Sequence, residues 1–186
     1  MFGSLRRGSF SRGLAQAAVT LSSSSLAREI VEIGDLPLYN EDLENAPAKS
    51  ASRLTFRDRI RPVDGVLFVT PQYNRSVPAV LKDALDVGSR PRLESVWSRK
   101  PSAIVSVSLG AFGANHHLRQ SFVFLDMPAM QQPKAYIGNV PSLFDSDGAL
   151  ANEKTRQFIR TIVTAFEKWI RTNGNRPVSS RQGRLY

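Results

Sequence analysis

Cysteine is absent from the 186-residue chain. That excludes disulfides, thiolate metal sites and cysteine nucleophiles, and it makes a reducing compartment, the cytoplasm, the expected location. Long apolar runs are missing as well. None approaches the roughly 18–20 residues that a membrane helix requires, so no membrane partner is expected. Only two histidines occur, His116 and His117, with no acidic residues at ligand spacing around them, and no metal site is expected. Neither a Walker-type phosphate loop nor a GxGxxG fingerprint is found, which argues against P-loop nucleotide hydrolysis and against a dinucleotide-binding Rossmann site. Acid is missing from both ends of the chain. Residues 1–28 carry Arg6, Arg7, Arg12 and Arg28 without one Asp or Glu, and residues 171–186 carry Arg171, Arg176, Arg181 and Arg184 likewise.

What is present describes one soluble-type α/β domain. Hydrophobic residues make up 41% and charged residues 22%, and the length suits a single full core rather than two. The net charge of +9 favours anionic partners without choosing among a phosphorylated cofactor, an oxyanion and a nucleic acid. A nucleic-acid reading rests on that charge and the tail alone, with no helix-turn-helix, zinc or RNA-binding signature beside it, and nucleic acid is not expected. We place the domain at 1–171 and read 172–186 as a basic, solvated tail. The arginine- and serine-rich start also has the composition of a transit peptide. The motif at Gly3 to Ser11 speaks for a folded loop instead.

Periodicity orders the chain into alternating helices and strands. FSRGLAQAAVTL (10–21) places Leu14, Ala17, Ala18 and Leu21 at helical spacing. REIVEI (28–33) reads as a strand, and DLPLYNEDLEN (35–45) as a polar loop. A helix carrying Leu54, Phe56 and Ile60 follows, stopped by Pro62. Val66 to Val69 and Ala103 to Val107 are continuous apolar strands of the doubly covered kind, with Ala135 to Ile137 a short last one. Helices are expected after Pro78 (Val80, Leu81, Ala84 and Leu85 inward, Gly88 the stop), over His117 to Leu125, and over Glu153 to Arg171. Strands alternating with helices predict a three-layer α/β fold with a parallel sheet.

In such sheets ligands sit outside the carboxyl ends of the strands, and three irregular loops meet that condition: 3–11, 70–77 and 108–115. The first, GSLRRGSFS, precedes a helix. Unpaired N–H groups, the hydroxyls of Ser4, Ser9 and Ser11, the Arg6 guanidinium and close approach at Gly3 and Gly8 would suit a phosphate. A helix with a basic entry, capped by Ser9 or Ser11, explains that segment equally well. The second, TPQYNRSVP, joins a strand to a helix. A rigid turn accounts for Pro71 and Pro78 but not for Gln72, Tyr73 and Asn74 together. A flat ring with an edge of alternating carbonyl and N–H groups would use all three. The third, Ser108 to Gly113, offers glycines that let backbone approach a planar ligand.

Together GSLRRGSFSR (3–12), LPLYNEDLE (36–44), TPQYNRSVPAVLKDALD (70–86), GAFGANHHLRQSFVFLDM (110–127) and QQP (131–133) resemble the NADPH-dependent FMN reductase family, in its quinone and chromate reductase branch. The resemblance runs to about residue 170. It implies a flavodoxin-like, doubly wound parallel sheet, non-covalent FMN, NADPH or NADH as hydride donor, a quinone or other small acceptor, possible use of chromate, and homodimers that pair into homotetramers. By position, Ser4, Leu5, Arg6, Arg7, Gly8, Ser9, Phe10 and Ser11 would wrap the FMN phosphate. Pro71, Gln72, Tyr73, Asn74 and Arg75 would meet the isoalloxazine ring, and Ser108 and Gly110 would close the other side. The flavin would carry the chemistry, so no protein acid, base or nucleophile is assigned.

The chain departs from the family pattern in four places. Only Met1 and Phe2 stand where a full first strand is usual. Ser11 replaces Asn and Gln72 replaces Glu. Leu109 stands where Pro or Met is common, and the loop after it is about three residues short. A truncated, non-catalytic relative that binds flavin weakly is the alternative these departures leave open. Asn115 to His117, read as a polar helix start, suggest an active site near a subunit boundary.

Overall fold

The computed structural model describes residues 1–46, 50–107 and 112–174. Helices α1 (Phe10–Leu21), α2 (Glu41–Asn45), α3 (Ala51–Ile60), α4 (Ala79–Gly88), α5 (Phe112–Phe124) and α6 (Glu153–Asn173) surround strands β1 (Val66–Thr70), β2 (Ser102–Val107) and β3 (Ala135–Ile137). The sheet order is β1-β2-β3 and both pairings are parallel, with Val66 opposite Ser102 and Val105 opposite Ala135.

Strand residues alternate between two cores, which fixes the three layers. On one face Val66, Phe68 and Ile104 pack with α3, α4 and α5 through Phe56, Ile60, Leu81, Leu85, Leu118 and Phe122. On the other, Val69, Ala103, Val105 and Val107 pack with α1 and α6 through Leu14, Ala18, Ile159, Ile162 and Phe166. Trp97 is fully buried in the first core and donates from Nε1 to the Leu85 carbonyl at 2.8 Å. Gly88, the last residue of α4, leaves room for Trp97, because a Cβ there would run into the indole ring.

Met1 to Gly3 take the place of the shortened first strand. Phe2 forms a parallel bridge to Val69. Three backbone hydrogen bonds hold the segment on β1: Met1 N to Leu67 O (3.1 Å), Val69 N to Met1 O (3.0 Å) and Gly3 N to Val69 O (2.9 Å). Phe2 is 1% exposed, so a two-residue remnant still reaches the middle of the core.

Several sequence expectations shift. Residues 28–33 form no strand, although Val31 and Ile33 are buried. Phe2 makes only an isolated bridge to β1, so no ladder runs there for them to extend. The 35–45 loop contains one helical turn, α2, started by the Asn40 side chain accepting from Asp42 N–H at 2.9 Å. Helix α5 begins at Phe112, five residues early, and α6 continues to Asn173. The tail beyond Gly174 lies outside the described residues.

Candidate active site

The segment 4–8 and the start of α1 present backbone donors to solvent. Ser9 caps the helix, its hydroxyl accepting from Arg12 N–H at 3.4 Å, as the sequence allows. The N–H groups of residues 4–8, 10 and 11 have no hydrogen-bond partner among the described residues. Ser4, Ser9 and Ser11 are buried, while Leu5, Arg6, Arg7 and Gly8 are exposed. The Arg6 guanidinium lies 5.3 Å from the centre of the Phe10 ring and makes no ion pair among the described residues. Gly3 sits hard against the end of β1, where a Cβ would fall 2.8 Å from Thr70 Oγ1, whereas Gly8 faces open space.

From β1 the chain enters a tight turn. Tyr73 N–H donates to Ser76 O at 3.0 Å and Ser76 N–H returns to Tyr73 O at 2.9 Å, leaving Asn74 and Arg75 as a two-residue tip. Both tip residues are left-handed, with φ of 47° and 67°. That conformation suits the mirror-image hairpin turns, and Asn tolerates it better than Arg does. Tyr73 reaches back from the turn, its hydroxyl 3.1 Å from Ser4 Oγ, and so ties the second loop to the first. The Asn74 side chain makes no hydrogen bond among the described residues.

Gln72 takes a different position from the one expected. Its Oε1 accepts from the Ala114 N–H at 3.2 Å, so its carbonyl caps the first turn of α5. Gly113 packs against the Arg75 carbonyl, and a side chain there would collide with it. Ser76 Oγ lies 2.9 Å from His117 Nδ1, a third tie between the turn and α5. The spacing of Gly113 after Ser108 signalled close approach, but nothing in the sequence paired it with Arg75. Ser108 and Gly110 lie outside the described residues. Asn115 is not a surface group: it is fully buried, donates to Ser106 Oγ at 3.3 Å and accepts from Arg119 Nε at 2.9 Å.

These parts lie at one end of the sheet and share a charge pattern. Residues 1–28, 65–82 and 101–125 supply both loops and α5, and none of them is Asp or Glu. An acid-free rim with free N–H groups at a helix start is suited to a phosphate, and the turn beside it to a flat polar ring. A model of NADPH-dependent FMN reductases matches residues 1–142. The chain belongs to the NADPH-dependent FMN reductase family.

Its relatives match it over most of its length. It is 58% identical over 175 residues to a quinone reductase of Pseudomonas putida, covering 92% of each chain. It is 43% identical over 172 residues to a 2-hydroxy-1,4-benzoquinone reductase of a Burkholderia species, covering 91% of this chain and 93% of that one. Among solved structures it superposes on FerB, a flavoenzyme NAD(P)H:(acceptor) oxidoreductase of Paracoccus denitrificans, with a TM-score of 0.84 and 37% identity over 94% of this chain and 97% of that one. The flavodoxin-like fold is thereby shown, and the FMN reductase has FMN as its cofactor and a reduced nicotinamide as its donor. The residues present fit that cofactor. The unpaired N–H groups, the Ser11 hydroxyl and Arg6 suit a phosphate dianion, and the unpaired Asn74 amide suits the polar edge of a ring.

Proposed function

We propose that this enzyme passes electrons from NADPH or NADH, by way of FMN held at the carboxyl end of the sheet, to a quinone. The Ser4–Tyr73 hydrogen bond carries the reading, because it holds the phosphate-suited loop and the ring-suited turn side by side. When bound, FMN supplies two-electron hydride chemistry that no amino-acid side chain offers. The chain's own residues bind and orient it. The unpaired backbone donors of residues 4–8, 10 and 11 meet the phosphate with Ser11 and Arg6, and Asn74 with the N–H groups of the 74–75 tip meets the ring edge. Gln72 works indirectly, holding α5 against the turn. The quinone assignment draws on the named activities of the Pseudomonas and Burkholderia relatives. The Met1–Gly3 pairing on β1 supports retention of the phosphate loop despite the short first strand.

The purified protein should show a flavin absorption spectrum, or gain one when titrated with FMN. It should then oxidise NADPH or NADH in the presence of a benzoquinone. A sample that cannot be reconstituted, or that turns over no quinone, refutes this function. Replacing Arg6 by Ala should weaken FMN binding roughly tenfold, the scale of a lost charge-assisted hydrogen bond. Unchanged affinity in a titration of that variant would remove Arg6 from the phosphate site.

A further inference from the structure

Phe112 opens α5 with a ring that is 57% exposed. It packs against Tyr136 of β3, the ring centres 4.7 Å apart and the planes inclined at 46°. One helical turn on, His116 stands on the same side of α5, its Nε2 3.4 Å from the Tyr136 hydroxyl. Tyr136 points away from the Ala135 and Ile137 side of the sheet, which belongs to the α1–α6 core, and so toward α5.

The position of Phe112 is defined by the site. Gly113 and Ala114, the next two residues, are the ones pressed against Arg75 and Gln72, so Phe112 opens α5 at the same carboxyl end of the sheet as the turn assigned to the flavin ring. The cluster combines an exposed aromatic face with a phenol and an imidazole that share one weak contact. A quinone presents the complementary chemistry: a flat, electron-poor ring to stack and carbonyl oxygens that accept hydrogen bonds.

We propose that Phe112, Tyr136 and His116 form the acceptor wall of the site, Phe112 stacking on ring-shaped acceptors and the Tyr136–His116 pair donating to a quinone carbonyl. The inference rests on the quinone reading above and names the residues that select among acceptors. It predicts preference for fused-ring quinones over acceptors that cannot stack.

The test compares 1,4-naphthoquinone with ferricyanide, which has no ring, as acceptors for FMN-loaded enzyme and NADPH. In Phe112→Ala the naphthoquinone-to-ferricyanide ratio of kcat/KM should fall about tenfold, carried by KM rather than kcat, as expected for one lost aromatic contact. Phe112→Tyr should restore it, and Tyr136→Phe, which keeps the ring, should lose only a few-fold. Phe112→Leu takes the place of the alanine variant if that one fails to fold. An unchanged ratio, equal losses for both acceptors, or a ratio change that accompanies a change of assembly in sedimentation overturns the proposal, the last by making Phe112 a subunit contact. Failure of the quinone reading appears separately, as wild-type enzyme that reduces ferricyanide but no quinone.

Discussion

Gln72 and Asn74 stand two positions apart, are both amides, and are given different work by the fold. The sequence assigns both to a ligand edge, because side-chain type and spacing cannot show which way each one turns. In the structure the Gln72 carbonyl is taken by the Ala114 N–H, while the Asn74 amide is unpaired at the tip of a left-handed turn. Gln72→Ala should therefore behave as the loss of a helix cap, lowering the unfolding free energy of the apo-protein by about 1 kcal/mol. Asn74→Gly keeps the positive φ and removes only the amide. It should leave the apo-protein's melting temperature nearly unchanged and weaken FMN binding by about 1–3 kcal/mol, roughly five- to a hundredfold. Thermal melts of apo-protein and FMN titrations on both variants separate the roles. A Gln72 variant that is stable yet flavin-poor would return that residue to the ring.

At the scale of elements, hydrophobic periodicity located both long strands and most helices, and it went wrong where charge is buried. In α3 the spacing of Leu54, Phe56 and Ile60 predicts an apolar inner face, yet Leu54 is 42% exposed while Arg53 and Arg57 are 2% and 3% exposed. Arg57 forks onto both carboxylate oxygens of Glu44, at 2.8 and 2.6 Å, and donates to the Val87 carbonyl. Arg53 serves the 37–40 loop, donating to Leu38 O at 2.7 Å. Glu44 comes from α2, a turn too short to show a period, so nothing local marks it as the partner. Removing its charge leaves buried guanidinium groups poorly matched, and Glu44→Ala should cost about 3–5 kcal/mol in denaturant unfolding. Near-wild-type stability would mean that water replaces the pair. Asp83 of α4 gives the same region a pH signature. Its carboxylate accepts from Tyr39 N–H at 2.6 Å, but burial dominates and raises its pKa above the ordinary value of 3.8. Between those two pKa values the folded state holds a proton that the unfolded state has lost. The contribution is thus complete at low pH and disappears as pH rises through the folded-state pKa. Asp83→Asn should flatten stability against pH in the mildly acid range, read from denaturant midpoints at successive pH values, and an unchanged slope would assign it elsewhere.

For the whole molecule, motif resemblance reached the family and its cofactor because the loops proposed for phosphate and ring are contiguous stretches of chain. Assembly depends on surfaces gathered from distant segments, and on those the sequence was legible only through the family. In its one local clue, the polar run at Asn115 to His117, Asn115 is an internal bridge between Ser106 and Arg119, while His116 and His117 are exposed. Better clues are apolar side chains with nothing over them. Val123 and Phe124 close α5 at 83% and 89% exposure, and Leu93 is 98% exposed. Two adjacent large apolar residues at a helix end carry a hydration cost of about 1.5–3 kcal/mol each, relative to being covered. A second copy of the chain is the partner the family resemblance implies. Sedimentation at micromolar concentration should accordingly show no dominant monomer, and Phe124→Asp should shift the distribution toward smaller species by placing a charge in the covered patch. The acceptor wall at the other end of α5 is then untouched, and FMN content should stay constant. A wild-type protein that sediments as a stable, flavin-loaded and active monomer would refute the assembly. An unshifted Phe124→Asp oligomer would move the contact to another face.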